Sequence, residues 1–285
     1  MNKILILSLV GLIGLLPFIL AAEKLPTHEP KQETVVLLHG LVRSDKAMNK
    51  MAKELRSEGY HVINHNYPST SATIEVLTKE VFKTLKPQIV DAETLHFVTH
   101  SMGGILLRQH LEDHKLPNLG RVVMLAPPSR GSEVTDKLGK LKTFQRINGP
   151  AGNQLGTGTN SHPLRLKAPD FELGIIAGDR SINPILSMLI PGPDDGKVAL
   201  ARVKPAAYTD YIQLHVTHPC MVWNKEVINQ TKQFLEQGFF VDGASSSVLE
   251  EHKMPSSPST PQKYQRVSFT PMELEAPSTK ENNHD

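Results

Sequence analysis

Short apolar runs alternate with amphipathic segments between residues 33 and 238, and this alternation limits the fold more than any other feature of the chain. Runs of four or five apolar, often β-branched residues between turn formers predict strands. The predicted strands cover 34–38, 61–64, 95–99, 122–125, 173–177 and 212–216. Helical spacing of apolar residues predicts helices over 45–57, 74–85, 103–113 and 221–237. Strands and helices in turn predict an α/β fold, with a mostly parallel sheet covered by helices on both faces.

Charge and cysteine content exclude several functional classes. The 31 basic side chains are nearly balanced by 29 acidic ones, so no basic surface of the kind that nucleic-acid binding needs is expected. Cys220 is the single cysteine, which excludes an internal disulfide and a cysteine-rich zinc site. We expect no nucleic-acid partner and no metal.

The two ends of the chain differ from its middle. Lys3 is followed by an uncharged apolar stretch over 4–22, which predicts a signal peptide or, if uncleaved, a membrane anchor. Either alternative predicts export, to the periplasm, to the medium or to a membrane surface. The segment 243–285 is rich in Ser, Thr, Pro and charge, so it predicts a disordered tail. The catalytic domain is then expected within 33–238.

The segment Thr99–Gly104 lies between the third predicted strand and the third predicted helix. It resembles the nucleophile elbow of the α/β-hydrolase superfamily, whose usual pattern is Gly-x-Ser-x-Gly, with Thr99 in place of the first glycine. Such a turn holds its serine in a strained conformation, so the residues two before and two after it must be small. Gly103 meets this condition, whereas Thr99 crowds the turn. The resemblance, to bacterial lipases and esterases in particular, implies a compact α/β-hydrolase fold with Ser101 as the nucleophile.

The first predicted strand ends in His39-Gly40-Leu41. This resembles the His-Gly of the same superfamily, which supplies half of the oxyanion hole. The resemblance implies that the backbone N–H groups of Leu41 and Met102 hold the oxyanion. His39 itself is expected to form structural hydrogen bonds near the site.

The histidine and the acid of a catalytic triad are expected after later strands. His218 lies between the last predicted strand and the last predicted helix, where the superfamily places its catalytic base. The nearby His215 is expected to lie within the strand. Three aspartates remain candidates for the acid. Asp195 begins an Asp-Gly-x-Val pattern that resembles the acid motif of bacterial lipases, Asp179 follows the fifth strand, and Asp194 precedes Asp195.

Residues 134–170 form an insert in which apolar residues recur every three positions, and this predicts a short amphipathic helix. The recurring residues are Leu138, Leu141, Phe144 and Ile147. In lipases such inserts cover an acyl pocket as lids. A plain connecting helix that packs on the core is an equal alternative.

The resemblance implies a serine hydrolase that cleaves carboxylic esters through a Ser101, Asp195 and His218 triad and needs no cofactor. Its substrate would be a small-molecule or lipid ester, and a lipid ester implies contact with a lipid interface. Acyl transfer to an alcohol through the same acyl-enzyme is one alternative. A non-catalytic binding protein on the same fold is another.

Overall fold

The sheet is built from parallel strands only. A computed structural model of the chain describes residues 31–241, so the predicted leader 1–22 and tail 243–285 lie outside the described residues. The strands are β1 (Glu33–Leu38), β2 (His61–His65), β3 (Thr94–His100), β4 (Leu119–Leu125), β5 (Leu173–Gly178) and β6 (Asp210–Leu214). They form one six-stranded sheet in the order β2-β1-β3-β4-β5-β6. All six predicted strands are therefore present in the described part, as a parallel α/β fold requires.

Helices connect the strands and also form the insert. They are α1 (Asn49–Ser57), α2 (Ile74–Ile89), α3 (Met102–Asp113), α4 (Glu133–Leu138), α5 (Lys142–Asn153), α6 (His162–Arg165), α7 (Pro184–Ser187), α8 (Leu200–Val203) and α9 (Lys225–Gln237). Two 3-10 segments, Asp45–Met48 and His218–Trp223, precede α1 and α9. Among the described residues, none of the helices is both long enough and apolar enough to cross a bilayer.

Two predicted boundaries near the C-terminal end were wrong. The last helix begins at Lys225 and not at Met221, because the Asn224 side chain accepts a hydrogen bond from the Val227 N–H and caps the helix there. Strand β6 ends at Leu214, so His215 lies beyond the strand. Its imidazole is largely exposed and pairs with Asp179.

Two apolar clusters cover the two faces of the sheet. Successive strand residues point to opposite faces, so neighbours such as Val35 and Val36 belong to different clusters. The cluster with Val36 includes residues of α2 and α3, and the cluster with Val35 includes residues of α1 and α9. Burial on both faces explains why the central strands are continuous apolar runs in the sequence.

The insert contains two main helices, α4 and α5, where the sequence predicts one. Helix α5 is kinked at Gly149, which has a φ of 63° and lies against the backbone of Thr70 so closely that a Cβ there would collide with the Thr70 carbonyl oxygen. Only glycine fits both the left-handed conformation and this approach. Leu141, one of the predicted apolar positions, is exposed.

Gln154 connects the end of helix α5 to helix α2. Its Oε1 accepts the backbone N–H of Ile74 at 2.6 Å, and its Nε2 donates to Glu75 Oε2 at 2.8 Å. Ile74 is the first residue of α2, so its N–H has no partner within the helix. The other oxygen of Glu75 lies 3.2 Å from Nδ1 of His162 in α6. These contacts fix one side of the insert against the start of helix α2.

We expect Gln154→Ala to lower the free energy of unfolding by about 1–2 kcal/mol, because it removes two hydrogen bonds and leaves a helix N-terminal N–H without its partner. Urea unfolding followed by circular dichroism measures this change. Gln88→Ala, on the exposed face of the same helix α2, is the matched control and should change stability by less than about 0.5 kcal/mol. Equal losses in the two variants would contradict this role of Gln154.

Candidate active site

Ser101 occupies a sharp turn between β3 and α3. Its φ of 54° and ψ of −122° lie in a region that residues other than glycine rarely adopt. Two backbone hydrogen bonds hold this conformation. The Ser101 N–H donates to the Leu125 carbonyl at 2.8 Å, and the Ser101 carbonyl accepts from the Gly104 N–H at 3.0 Å. The elbow geometry that the motif predicts is therefore present, and it directs Ser101 toward a cavity that this residue lines.

Two consecutive glycines make the turn sterically feasible. A Cβ at Gly103 would lie 2.5 Å from the Leu38 carbonyl oxygen and 2.8 Å from that of His39, both at the end of β1. A Cβ at Gly104 would lie 3.1 Å from Oγ1 of Thr99. Gly104 thus leaves room for the threonine that replaces the usual first glycine of the motif. The absence of a side chain at Gly104, three residues after Ser101, thus compensates for the larger side chain at Thr99.

His39 fixes the loop that follows β1. Its Nδ1 donates to the Gly40 carbonyl at 2.9 Å, and its Nε2 accepts the N–H of Tyr67 at 3.3 Å. The Tyr67 hydroxyl donates to the His39 carbonyl, and the two rings stack at 4.1 Å. Burial lowers the pKa of His39, which favours the neutral ring that this hydrogen-bond pattern needs. His39 thus makes the structural hydrogen bonds that its sequence position predicts.

The two candidate oxyanion donors are the backbone N–H groups of Leu41 and Met102. Leu41 lines the cavity, and Met102 directly follows the serine as the first residue of α3. In the part of the chain that the structure describes, neither backbone N–H donates to another residue. By contrast, the next N–H along the loop, that of Val42, donates to Ser69 Oγ at 3.0 Å. Neither candidate N–H is therefore occupied by a protein acceptor in the described part of the chain.

His218 and Asp195 form a short buried pair. Nδ1 of His218 lies 2.6 Å from Oδ2 of Asp195, and the His218 N–H donates to the Asp195 carbonyl at 2.8 Å. Both side chains are almost fully buried. The second carboxylate oxygen of Asp195 accepts the N–H groups of Lys197 and Val198 at 3.0 and 2.9 Å. The carboxylate thus fixes the orientation of the imidazole and the shape of its own loop.

The two alternative acids are engaged elsewhere. Asp179 lies 2.8 Å from Nδ1 of His215 and 2.7 Å from the Gln213 amide, on the exposed side of β6. Asp194 accepts hydrogen bonds from Ser187 and from the Gly196 N–H. Among the three aspartates, Asp195 is therefore the one that the structure brings to His218.

Ser101 and His218 line the same cavity. Within residues 31–241, the Ser101 hydroxyl makes no hydrogen bond with His218. Such nucleophile–base contacts are often looser than a hydrogen bond before substrate is bound. His218 thus lines the cavity with Ser101 while Asp195 contacts its Nδ1.

Sequence reasoning missed His100, the residue before the serine. Its Nε2 donates to the His218 carbonyl at 3.1 Å, and the two rings lie 4.8 Å apart. Burial keeps the pKa of His100 well below its usual value, and the charge of His218 lowers this pKa further. The His100 ring is therefore neutral. Its Nδ1 has no hydrogen-bond partner among the described residues. His100 is thus a positioning residue for the His218 loop, and its place inside the elbow motif was the signal available in the sequence.

The cavity beside Ser101 has a volume of about 310 Å³, near the lower end for small-molecule sites. Most of its wall is apolar, and many of the large apolar side chains come from the insert and from α7. Apolar side chains of this wall include Val134, Leu138, Phe144, Ile147, Leu155 and Leu186. The insert therefore forms part of the wall of the site, beyond connecting β4 to β5. Its action as a moving lid stays a prediction.

The pair His110 and His114, four residues apart on α3, is not a metal site. The His110 ring stacks at 3.6 Å on Phe82, and His114 stacks on His110 at 4.6 Å. Burial lowers the pKa of His110 to about 4. His110 therefore packs on α2. No cluster of three or more metal-ligating side chains occurs among the residues that the structure describes.

No protein-family model matches the sequence, and no curated protein matches it. Several solved structures have a similar fold. The mature lipase BlEst2 of Bacillus licheniformis superposes with a TM-score of 0.55 at 20% identity, over 71% of this chain and 91% of that chain. The metagenomic carboxyl esterase MGS0156 superposes with a TM-score of 0.54 at 14% identity, over 70% of this chain and 69% of that chain. Phospholipase PlaB of Legionella pneumophila superposes with a TM-score of 0.50 at 17% identity, over 60% of this chain and 45% of that chain.

These similarities concern the fold. The parallel six-stranded sheet, its helices and the solved structures that it resembles confirm the predicted α/β-hydrolase fold. At identities of 14–20%, they do not transfer an activity to this chain.

We expect Gly103→Ala to lower the free energy of unfolding by about 3 kcal/mol, the upper end for overpacking a tight site, because the new methyl group meets backbone oxygens that cannot rotate away. Gly158→Ala is the matched control, since no atom lies within 4 Å of a Cβ built at that position. Thermal or urea unfolding of both variants provides the measurement. A Gly103→Ala protein as stable as the Gly158→Ala protein would contradict the tight crossing described above.

Proposed function

We propose that this chain, which has the α/β-hydrolase fold, is a serine hydrolase that cleaves carboxylic esters. One observation carries the proposal. A serine in a strained elbow, Ser101, lines a cavity together with His218, whose other ring nitrogen lies 2.6 Å from the buried carboxylate of Asp195. This is the combination of nucleophile, base and orienting acid that acyl transfer needs.

The first half of the reaction forms an acyl-enzyme. Nε2 of His218 takes the hydroxyl proton of Ser101 as Oγ attacks the acyl carbon of the ester. Asp195 stabilises the resulting imidazolium and keeps Nδ1 protonated. The tetrahedral intermediate collapses when the bond to the alcohol oxygen breaks, and the imidazolium gives its proton to that oxygen. The alcohol leaves, and the acyl group remains on Ser101.

The second half repeats these steps with water. His218 takes a proton from a water molecule, whose oxygen attacks the acyl carbon of the acyl-enzyme. The carboxylic acid leaves as Ser101 Oγ takes the proton back. In both halves, the N–H groups of Leu41 and Met102 stabilise the negative charge on the substrate oxygen, and no metal or organic cofactor enters these steps.

The cavity wall supports an acyl substrate. Apolar side chains from α4, α5 and α7, such as Leu138, Phe144 and Leu186, offer an alkyl chain a dry surface next to Ser101. The structural neighbours include a lipase and a carboxyl esterase, which agrees with ester hydrolysis. A neutral, buried His100 behind His218 adds a fixed support for the base.

A fluorophosphonate reagent tests the nucleophile directly. We expect the wild-type protein to be labelled at Ser101 and the Ser101→Ala protein to remain unlabelled, because only an activated serine attacks the phosphorus atom. Intact mass and tryptic peptide analysis locate the adduct. Equal labelling of both proteins, or no labelling of the wild type, would exclude the proposed nucleophile. Hydrolysis of 4-nitrophenyl esters from acetate to palmitate, by the wild type only, gives the matching activity readout.

The acid is tested by Asp195→Asn. We expect kcat on a 4-nitrophenyl ester to fall by about 10³–10⁴-fold, because an amide cannot hold the tautomer or stabilise the imidazolium. Asp179→Asn is the control and should change kcat by less than about threefold, since its partners are His215 and Gln213 and not His218. If Asp179→Asn were the variant that lost activity, the triad would have to be reassigned.

A further inference from the structure

Two cationic side chains line the cavity beside the nucleophile. Arg43 and Lys197 contribute to the same wall as Ser101 and His218. Within the described part of the chain, neither the guanidinium nor the ammonium group has a hydrogen-bond or ion-pair partner. The described lining also contains no Asp or Glu. The mechanism above uses neither cation, so their presence in the wall needs its own explanation.

Both cations are carried by loops with a fixed backbone. The N–H of Lys197 donates to Oδ1 of Asp195, and its carbonyl accepts the hydroxyl of Ser132 at 2.8 Å. Arg43 follows Val42, which has a φ of 56° and whose N–H donates to Ser69 Oγ. One cation therefore belongs to the loop of the acid, and the other belongs to the loop of the oxyanion donor. These loops therefore fix the backbone from which each cationic side chain extends.

The two charges affect one another and the interior of the site. Lys197 keeps exposed surface, yet the surrounding loops desolvate its ammonium and lower its pKa, and the charge of Arg43 lowers the pKa further. Asp195 acts in the opposite direction as the smallest of the three causes. Both cations also contribute to the low pKa of the buried His100, after burial and the charge of His218. Like charges held this way favour an anion between them.

The remaining wall has the opposite character. Most of the large apolar side chains come from the insert and α7, whereas both cations come from the loops after β1 and β5, where Val42 and Val198 directly flank them. An alkyl chain lies most favourably against the apolar side chains of the insert and α7, so a charged group of the same molecule belongs beside Arg43 and Lys197. Such a wall fits an amphiphilic ester with its acyl chain on one side of Ser101 and an anionic alcohol part on the other.

The geometry points to an anion subsite formed by Arg43 and Lys197, which selects esters whose alcohol part carries a phosphate or carboxylate close to the ester bond. This inference rests on the proposed ester hydrolysis and adds its substrate class. Arg43 can hold either anion by two parallel N–H donors, and Lys197 supplies a point charge. Both residues are then specificity determinants that bind the substrate and take no part in proton transfer.

Matched substrate pairs test the subsite. The phosphate pair is 1-octanoylglycerol 3-phosphate and 1-octanoylglycerol, and the carboxylate pair is O-octanoyl lactate and its methyl ester. For the wild type, we expect kcat/KM to be higher for the charged member of at least one pair, through KM, and the pair with the larger ratio identifies the anion. We expect Arg43→Gln or Lys197→Gln to reduce that ratio by about fivefold to tenfold, as for the loss of one well-placed ion pair.

Lys83→Gln is the matched control. Lys83 is exposed on α2 and does not line the cavity, so its loss should leave the ratio unchanged. Raising the ionic strength should reduce the wild-type ratio, because salt screens the attraction. A wild-type ratio near one in both pairs would overturn the subsite, and so would a decrease in Lys83→Gln equal to that in Lys197→Gln.

A binding measurement separates the subsite from the chemistry. Calorimetry with octyl phosphate and with octanol is carried out on the Ser101→Ala protein, with and without Arg43→Gln and Lys197→Gln together. We expect octyl phosphate to bind more tightly than octanol, and we expect the preference to disappear in the triple variant. Tight octyl phosphate binding without any ester hydrolysis would support the subsite while rejecting the proposed function. Fluorophosphonate labelling of Ser101 together with equal binding of octyl phosphate and octanol would support the proposed function while rejecting the subsite.

Discussion

The site depends on the close approach of helix α3 to the end of strand β1. Gly103 passes so near the carbonyl oxygens of Leu38 and His39 that no side chain fits between them. This approach sets the nucleophile elbow beside the loop that carries Leu41, and so brings the serine and the two candidate oxyanion donors together. The strand order reverses between β1 and β3, and ligands of open parallel sheets bind at such a switch point. The crossing thus links the chain topology to the chemistry.

A second constraint connects the acid to its surroundings. Asp195 uses one carboxylate oxygen for His218 and the other for backbone N–H groups of its own loop. Removing the carboxylate of Asp195 removes a charge and also removes the acceptor of the Lys197 N–H. The proposed acid, the proposed base and the backbone of Lys197, one of the two residues of the proposed anion subsite, share one hydrogen-bonded unit. This coupling is the reason that Asn, which keeps an acceptor oxygen, is a better test of the acid than Ala.

The sequence predicts the layers and the elbow because both depend on local patterns. Apolar runs locate six strands, and the Ser101 motif combined with Gly103 locates the turn. The sequence favours Asp195 through its resemblance to the lipase acid motif but does not exclude Asp179 or Asp194, since the choice depends on which carboxylate the fold brings to His218. The kink at Gly149 was also beyond local patterns, because it follows from the approach of Thr70, some eighty residues away in sequence. The compensation of Thr99 by Gly104 likewise needs the three-dimensional contact.

Backbone strain is concentrated where the chemistry is proposed. Among the described residues, three that are not glycine have a positive φ, namely Val42, Ser101 and Ala126. They follow β1, β3 and β4 at the carboxyl edge of the sheet, and such conformations cost about 1–3 kcal/mol each. Buried polar atoms without partners, such as Nδ1 of His100 and Oγ1 of Thr99, lie beside the same elbow. A sheet buried on both faces can hold this strain, because its strands cannot relax without losing packing on two layers at once. The carboxyl edge is therefore the region in which the rest of the fold maintains an unfavourable local geometry, as a preorganised catalytic site requires.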